Sequence, residues 1–233
     1  MSNETPSVQS FWDDAKSIIE ATEKHPFLVD MVKGTLDMDA FRYYVVQDAL
    51  YLHDFADCLR RLGAKADDPE SMERLKDFAK GAEEAELSLH NSFFQEWNIG
   101  AEGVDQMPHT LLYTSYMKRI VTTCSYAEGL ACLLPCFWVY MHVGKVMLEL
   151  RKGLVGDNAV ERPPQFDAWI DMYGGEDFEK EVKEYIDICN RVLRDTSSET
   201  RREMQTHFDM CCKLEYMFWT QAAEKMQWPD IAV

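Results

Sequence analysis

The chain is short of positive charge. Its 24 lysines and arginines stand against 41 aspartates and glutamates, a formal net charge of −17 over 233 residues. Such a surface repels phosphate backbones and anionic lipid, which argues against nucleic acid and membrane as partners and leaves neutral or cationic small molecules. No helix-turn-helix signature or basic face offsets that charge. The seven cysteines form no Cys-x-x-Cys pair and are odd in number, which excludes a simple disulfide frame and points to reduced thiols in a cytoplasmic setting. Nothing near Asp13, Asp14, Lys16 and Glu20 resembles a signal peptide. The most apolar stretch, Glu128 to Lys145, is interrupted by Pro135 and His142 and falls short of the ~20 residues of a membrane span, so it reads as a core helix. No Glu-x-x-His pair of the di-iron bundle type occurs; Glu86 with His90 and Glu203 with His207 are spaced i, i+4. Cys132 and Cys136 lack the neighbouring ligand pair that would complete a zinc site. The expectation is no metal and no cofactor.

What is present is helical periodicity, with no strand series. Hydrophobic residues make up 46% of the chain, enough for a sizeable core, and one core can serve this length. Thr5-Pro6 opens a first helix, which His25-Pro26 breaks. A short helix ends near Gly34, and Asp37 caps a long one to about Gly63. Another runs from Asp68-Pro69 to about Trp97, followed by a loop to Pro108. Helices over about 109–123 and 125–153 precede a second loop to Pro164. A helix of about ten residues then reaches Tyr173-Gly174-Gly175, whose glycines suit a left-handed stop. One more helix spans about 176–194. Thr196-Ser197-Ser198-Glu199 has a capping-box pattern and opens the last. The reading is all-α, one domain over 1–233.

Three side chains stand out. Asp48 sits in the inward stripe Phe41, Tyr44, Val45, Leu52, Phe55, with Tyr51 pointing nearly the same way. Glu215 sits in the stripe Phe208, Cys211, Cys212, Phe218, Trp219, Ala222. A carboxyl among apolar residues must be bonded, or its pKa rises. Cys136 follows Pro135 in the apolar segment, and Tyr140 shares its helix face. Two such acids and a thiol on separate helices make a plausible active-site constellation. Each alone also reads as structure: buried acids commonly tie helices together, and a buried free cysteine commonly packs as a small hydrophobe.

Taken in order, His25-Pro26-Phe27, Phe41-Arg42-Tyr43-Tyr44-Val45-Val46-Gln47-Asp48, Tyr113-Thr114-Ser115-Tyr116-Met117, Ala127-Glu128, Leu133-Leu134-Pro135-Cys136-Phe137-Trp138, Tyr173-Gly174-Gly175 and Glu215-Tyr216-Met217-Phe218-Trp219 resemble the TenA family of thiaminase II enzymes over nearly the whole chain. The resemblance implies a haem-oxygenase-like helical bundle without haem, assembled as a homotetramer. It implies hydrolysis of thiamin-derived aminopyrimidine, or of thiamin, to hydroxymethylpyrimidine. It further implies Cys136 as nucleophile, Glu215 as proton carrier, Asp48 as pyrimidine-recognising group, and Tyr51, Tyr113, Tyr140 and Tyr173 around the pocket. Two alternatives stay open at this point: a regulatory or ligand-binding protein of the same fold, and a carboxylate-bridged di-iron oxidase.

Overall fold

The computed structural model describes residues 6–97, 100–154 and 159–231, and within the fifth helix not the side chains at 85, 86 and 88–92. Regular structure among these residues is entirely helical: α1 Gln9–Asp14, α2 Lys16–Glu23, α3 Pro26–Val32, α4 Met38–Gly63, α5 Pro69–Trp97, α6 Pro108–Thr123, α7 Tyr126–Lys152, α8 Pro164–Gly174, α9 Glu176–Arg194 and α10 Ser198–Glu224.

Local chemistry explains most boundaries. His25 ends α2 and caps α3: its Nδ1 accepts from the Phe27 amide at 3.1 Å, while Pro26 supplies a first helical residue that needs no donor. Burial holds His25 near pKa 4, so the ring is neutral and free to accept. Asp37 caps α4 through the Asp39 amide at 3.0 Å. Gly34, after α3, takes the left-handed conformation at φ 72°.

Three readings need correction. The first helix begins at Gln9 and is split at the buried Ala15, with φ −84° and ψ 2°; the Thr5 cap lies outside the described residues. Gly174-Gly175 is not a left-handed stop, since Gly175 is extended at φ −73° and ψ 161°. Glycine is required there by close approach: a Cβ on Gly144 would lie 2.4 Å from the Tyr173 carbonyl carbon, and one on Gly174 2.3 Å from Leu148 Cδ1. The backbones of α7 and α8 therefore touch where Tyr173 enters the core. The last helix is capped by Ser197, which accepts from Thr200, so no glutamate closes a box there. The reciprocal box is on α7 instead, where Ser125 and Glu128 each bond the other's backbone amide.

α7 is the hub, packing against α2, α3, α4, α6, α8, α9 and α10. It is long and apolar enough to cross a membrane by length and composition, more so than its interrupted apolar run suggested. In the fold 78% of that window is buried within the protein. α7 continues unbroken through Pro135, and the Tyr185 hydroxyl donates to the Leu130 carbonyl at 3.2 Å, beside the Ala131 carbonyl that Pro135 cannot bond.

α7 and α10 lie parallel in one fixed register. His207 Nε2 is 3.5 Å from Glu128 Oε1, and Cys132 Sγ is 3.6 Å from Cys211 Sγ; the rings of Tyr140 and Trp219 are 5.1 Å apart. Each pair is separated by 79 positions, and successive rungs of this ladder rise by one helical turn. The rung between Cys132–Cys211 and Tyr140–Trp219 belongs to Cys136 and Glu215. By that spacing thiol and acid share one level of the α7–α10 packing.

Candidate active site

Beside that rung lies a cavity of about 70 Å³. α4 supplies Asp48, Tyr51, Leu52 and Phe55 to its wall; α7 supplies Cys136, Phe137 and Tyr140. Met172 and Tyr173 come from α8, Phe178 and Glu181 from α9, and Phe78, Gly81 and Ala82 from α5. Five of the seven residues singled out in the sequence therefore line one space: Asp48, Tyr51, Cys136, Tyr140 and Tyr173. Tyr113 and Glu215 do not line it and stand behind the Tyr51 side of the wall.

Cavity access separates Cys136 from its neighbours. It keeps 9% of its surface exposed, whereas Cys132 and Cys211, one turn earlier on the same ladder, keep 0%. All seven cysteines are free thiols. Burial pushes the Cys211 thiol well above its ordinary range, which leaves it protonated and inert.

Glu215 is 1% exposed. Burial raises its pKa, the charge of Asp48 raises it further, and the hydrogen bond from Tyr113 opposes both, leaving it at about 8. Tyr113 donates to Glu215 Oε1 at 2.6 Å. The Tyr51 ring lies 4.9 Å from the Tyr113 ring, its hydroxyl donates to Met117 Sδ at 3.4 Å, and Cys136 and Tyr113 both act on its proton affinity. Tyr51 and Tyr113 thus stand between Cys136 and Glu215. Burial pushes Tyr51, Tyr113 and Tyr140 well above the usual phenol value, so all three stay neutral. On the far side Trp169 Nε1 donates to the Tyr44 hydroxyl at 3.2 Å, which donates to Tyr140 at 3.4 Å. The Tyr140 ring packs 4.9 Å from Tyr173. These contacts fix the orientation of the aromatic walls.

The sequence reading did not find Glu181. It lies on α9, whose outer face carries Glu176, Asp177, Glu179, Glu184 and Asp187, and among them one more acid is inconspicuous. The available signal was register: Glu181 stands three residues after Phe178 and four before the buried Tyr185, on the inward side of the helix. Phe78, Gly81 and Met172 were missed as well, because nothing in α5 or α8 marks a wall residue as different from a core residue.

Of the two Glu/His pairs considered above, only Glu203 and His207 have described side chains. The side chains of Glu86 and His90 lie outside the described residues. His207 meets Cys124 and Glu128, not Glu203; ligand atoms of these three lie within 4.8 Å of one another. Each already has a role: Glu128 closes the α7 cap with Ser125, His207 Nδ1 bonds the Tyr116 hydroxyl at 2.7 Å, and Cys124 ends α6.

An all-α bundle with a buried thiol, two acids and an aromatic-walled cavity defines the class as a haem-oxygenase-like fold that carries a small-molecule site. Among solved structures, a TenA homologue from P. horikoshii superposes with a TM-score of 0.81 at 22% identity, covering 94% of this chain and 99% of that one. A haem-oxygenase-like domain from Shewanella denitrificans superposes at 0.75 and 13% identity, covering 95% and 94%. The TENA/THI-4/PQQC family model matches residues 12–225, and the chain belongs to that family. An aminopyrimidine aminohydrolase from Bacillus subtilis is 35% identical over 217 residues, 92% of this chain and 88% of the relative. A second, from Halalkalibacterium halodurans, is 28% identical over 222 residues, 94% and 96%.

Proposed function

We propose that this enzyme hydrolyses the C–N bond on the methylene carbon of a 4-amino-2-methylpyrimidine, releasing hydroxymethylpyrimidine from its aminomethyl form, from thiamin, or from both. The observation that carries the reading is the cavity shared by Asp48, Tyr51 and Cys136, with Tyr113 behind the Tyr51 ring and bonded to a carboxyl that titrates near neutrality.

The chemistry follows from those groups. Tyr140 and Tyr173 hold the flat ring, and Asp48 accepts from its amino group and favours a protonated ring nitrogen. Protonation makes a ring carbon electrophilic. Cys136 sulfur bonds to it, and the thiol proton is taken up on the Glu215 side of the cavity. The electron pair returned to the ring breaks the exocyclic C–N bond, which leaves an exocyclic alkene. The ammonium group leaves as neutral ammonia, which takes up a proton on release; from thiamin the neutral thiazole leaves. Water adds to the methylene carbon, the thiolate is expelled, and its proton returns. Net, one water is consumed and one C–N bond becomes C–O. General acid–base help of this type contributes roughly 10²–10⁴-fold.

The family resemblance and the charge of −17 support reading the protein as a single-domain cytoplasmic homotetramer that binds neither nucleic acid nor membrane. Sedimentation analysis tests the assembly. Incubation with aminomethylpyrimidine and thiamin in parallel, with chromatography of the products, tests the reaction. Hydroxymethylpyrimidine from at least one is expected, and release from neither would refute the reading.

A further inference from the structure

One feature of the cavity has no part in the chemistry above. Glu181 contributes a carboxylate to a wall otherwise made by Phe78, Gly81, Met172, Tyr173 and Phe178. Among the described residues no hydrogen bond or ion pair reaches it. The nearest cation, Arg74, is committed to Glu184 and, at 3.6 Å, to Asp77, with its guanidinium stacked 4.3 Å over the Phe78 ring. Glu181 Oε1 lies over the bare backbone of Gly81: a methyl group there would be 3.9 Å from it. Burial disfavours the charge, as do Glu184 and Asp177, while Arg74 favours it. An acid left unpaired in apolar surroundings is destabilised until an opposite charge arrives.

Aromatic faces, a thioether and one unpaired carboxylate together form a receptor for an organic cation. Ring faces attract positive charge through their quadrupole, and the carboxylate supplies the counter-charge. Tyr173 belongs both to this group and to the ring-binding walls, so the two regions adjoin within one cavity. A neutral amine or alcohol would gain little here, and an anion would be repelled.

We propose that Glu181, with Phe78, Met172 and Phe178, forms a second subsite of the cavity that binds the cationic leaving-group portion of the substrate, an alkylammonium or an N-alkylated heteroaromatic ring, and so sets which C–N bonds are hydrolysed. This rests on the hydrolase reading above and adds to it a determinant of leaving-group specificity. Both substrates named there are cations on the leaving side of the methylene carbon: a protonated amine in one, a thiazolium in the other. Glu181 forms and breaks no bond. Its contribution is to ground-state and transition-state binding of that charge.

The test compares wild-type protein, Glu181→Gln and Glu181→Asp on pyrimidinylmethyl substrates that differ only in the leaving group: ammonium, thiazolium, and an uncharged aryl ether. The ratio of kcat/KM for cationic over neutral substrates should fall about tenfold in Glu181→Gln, the value of one charge-assisted contact, and recover in part in Glu181→Asp. An unchanged ratio would overturn the proposal, as would a loss in Glu181→Gln that Glu181→Asp does not lessen. A binding arm runs without turnover: calorimetric titration of Cys136→Ser, and of Cys136→Ser with Glu181→Gln, with an N-alkyl thiazolium and with hydroxymethylpyrimidine. Weaker thiazolium binding in the double variant, with hydroxymethylpyrimidine affected less, supports the subsite. Equal weakening of both ligands, or of neither, refutes it. If wild-type protein turns over no substrate the hydrolase reading fails, and this arm still decides the role of Glu181.

Discussion

Two acids differ in how they stand to the cavity, Glu215 behind its wall and Glu181 within it, and burial raises the proton affinity of both. On the Cys136 side, Glu215 is sealed from solvent and tied to Tyr113, with its pKa at about 8. On the α9 side, Glu181 is partly buried, takes no hydrogen bond among the described residues, and feels Arg74 working against its shift. A sealed carboxyl bonded to a phenol can keep a proton at neutral pH and pass it along. A carboxyl that opens on the cavity can serve as a charge. The same residue type is thus given two tasks by its surroundings, and the fold achieves this by setting one on the α7–α10 ladder and the other on the rim helix.

The comparison breaks most severely on the ladder side. Cys136→Ser should abolish hydroxymethylpyrimidine release while the helical circular dichroism stays intact; full turnover would remove the nucleophile. Glu215→Gln should lower kcat by roughly 10²–10⁴-fold and erase the inflection near pH 8 in the pH–rate profile, and an unchanged profile would remove its proton role.

Stability should report the same acid. Its pKa is about 8 folded against an ordinary 4.5, so between these values the folded state holds a proton that the unfolded chain has lost. That contribution is fully present below pH 4.5 and declines as pH rises through 8. Urea midpoints of the wild type should therefore fall more steeply over this window than those of Glu215→Gln. Parallel curves would mean that Glu215 is not the titrating group. Tyr113→Phe is milder: it removes the bond that favours the carboxylate, so the kinetic inflection should move above about 8, and a downward move would contradict the assigned cause. The smallest effect belongs to the remote end of the ladder. Ser125→Ala opens the α7 cap at a cost of about 1 kcal/mol, read as a lowered midpoint, with kcat unaltered.

The helices were legible because apolar spacing and the stops at His25-Pro26, Asp37 and Pro69 act locally. The sealed side of the site was legible for a related reason: Asp48 and Glu215 violate apolar stripes, and a violation is visible in one dimension. Glu181 violates nothing, since its helix is acidic throughout, so only the packing of α9 against α7 reveals it. The roles of Gly144 and Gly174 stayed hidden because close approach of two backbones is a property of the crossing and not of either segment. The ladder itself was out of reach as well. A separation of 79 positions carries no local signal, and no reading of α7 or α10 alone places Cys136 beside Glu215.

Cys136 differs from Cys132 and Cys211 in facing the cavity, and that access should make it the thiol that reacts. Limiting iodoacetamide followed by peptide mass spectrometry measures this directly across all seven cysteines. Modification of Cys136 should track the loss of turnover and be blocked by hydroxymethylpyrimidine, while Cys132 and Cys211 stay unmodified. Full activity after stoichiometric alkylation of Cys136, or faster reaction at Cys132, would contradict it.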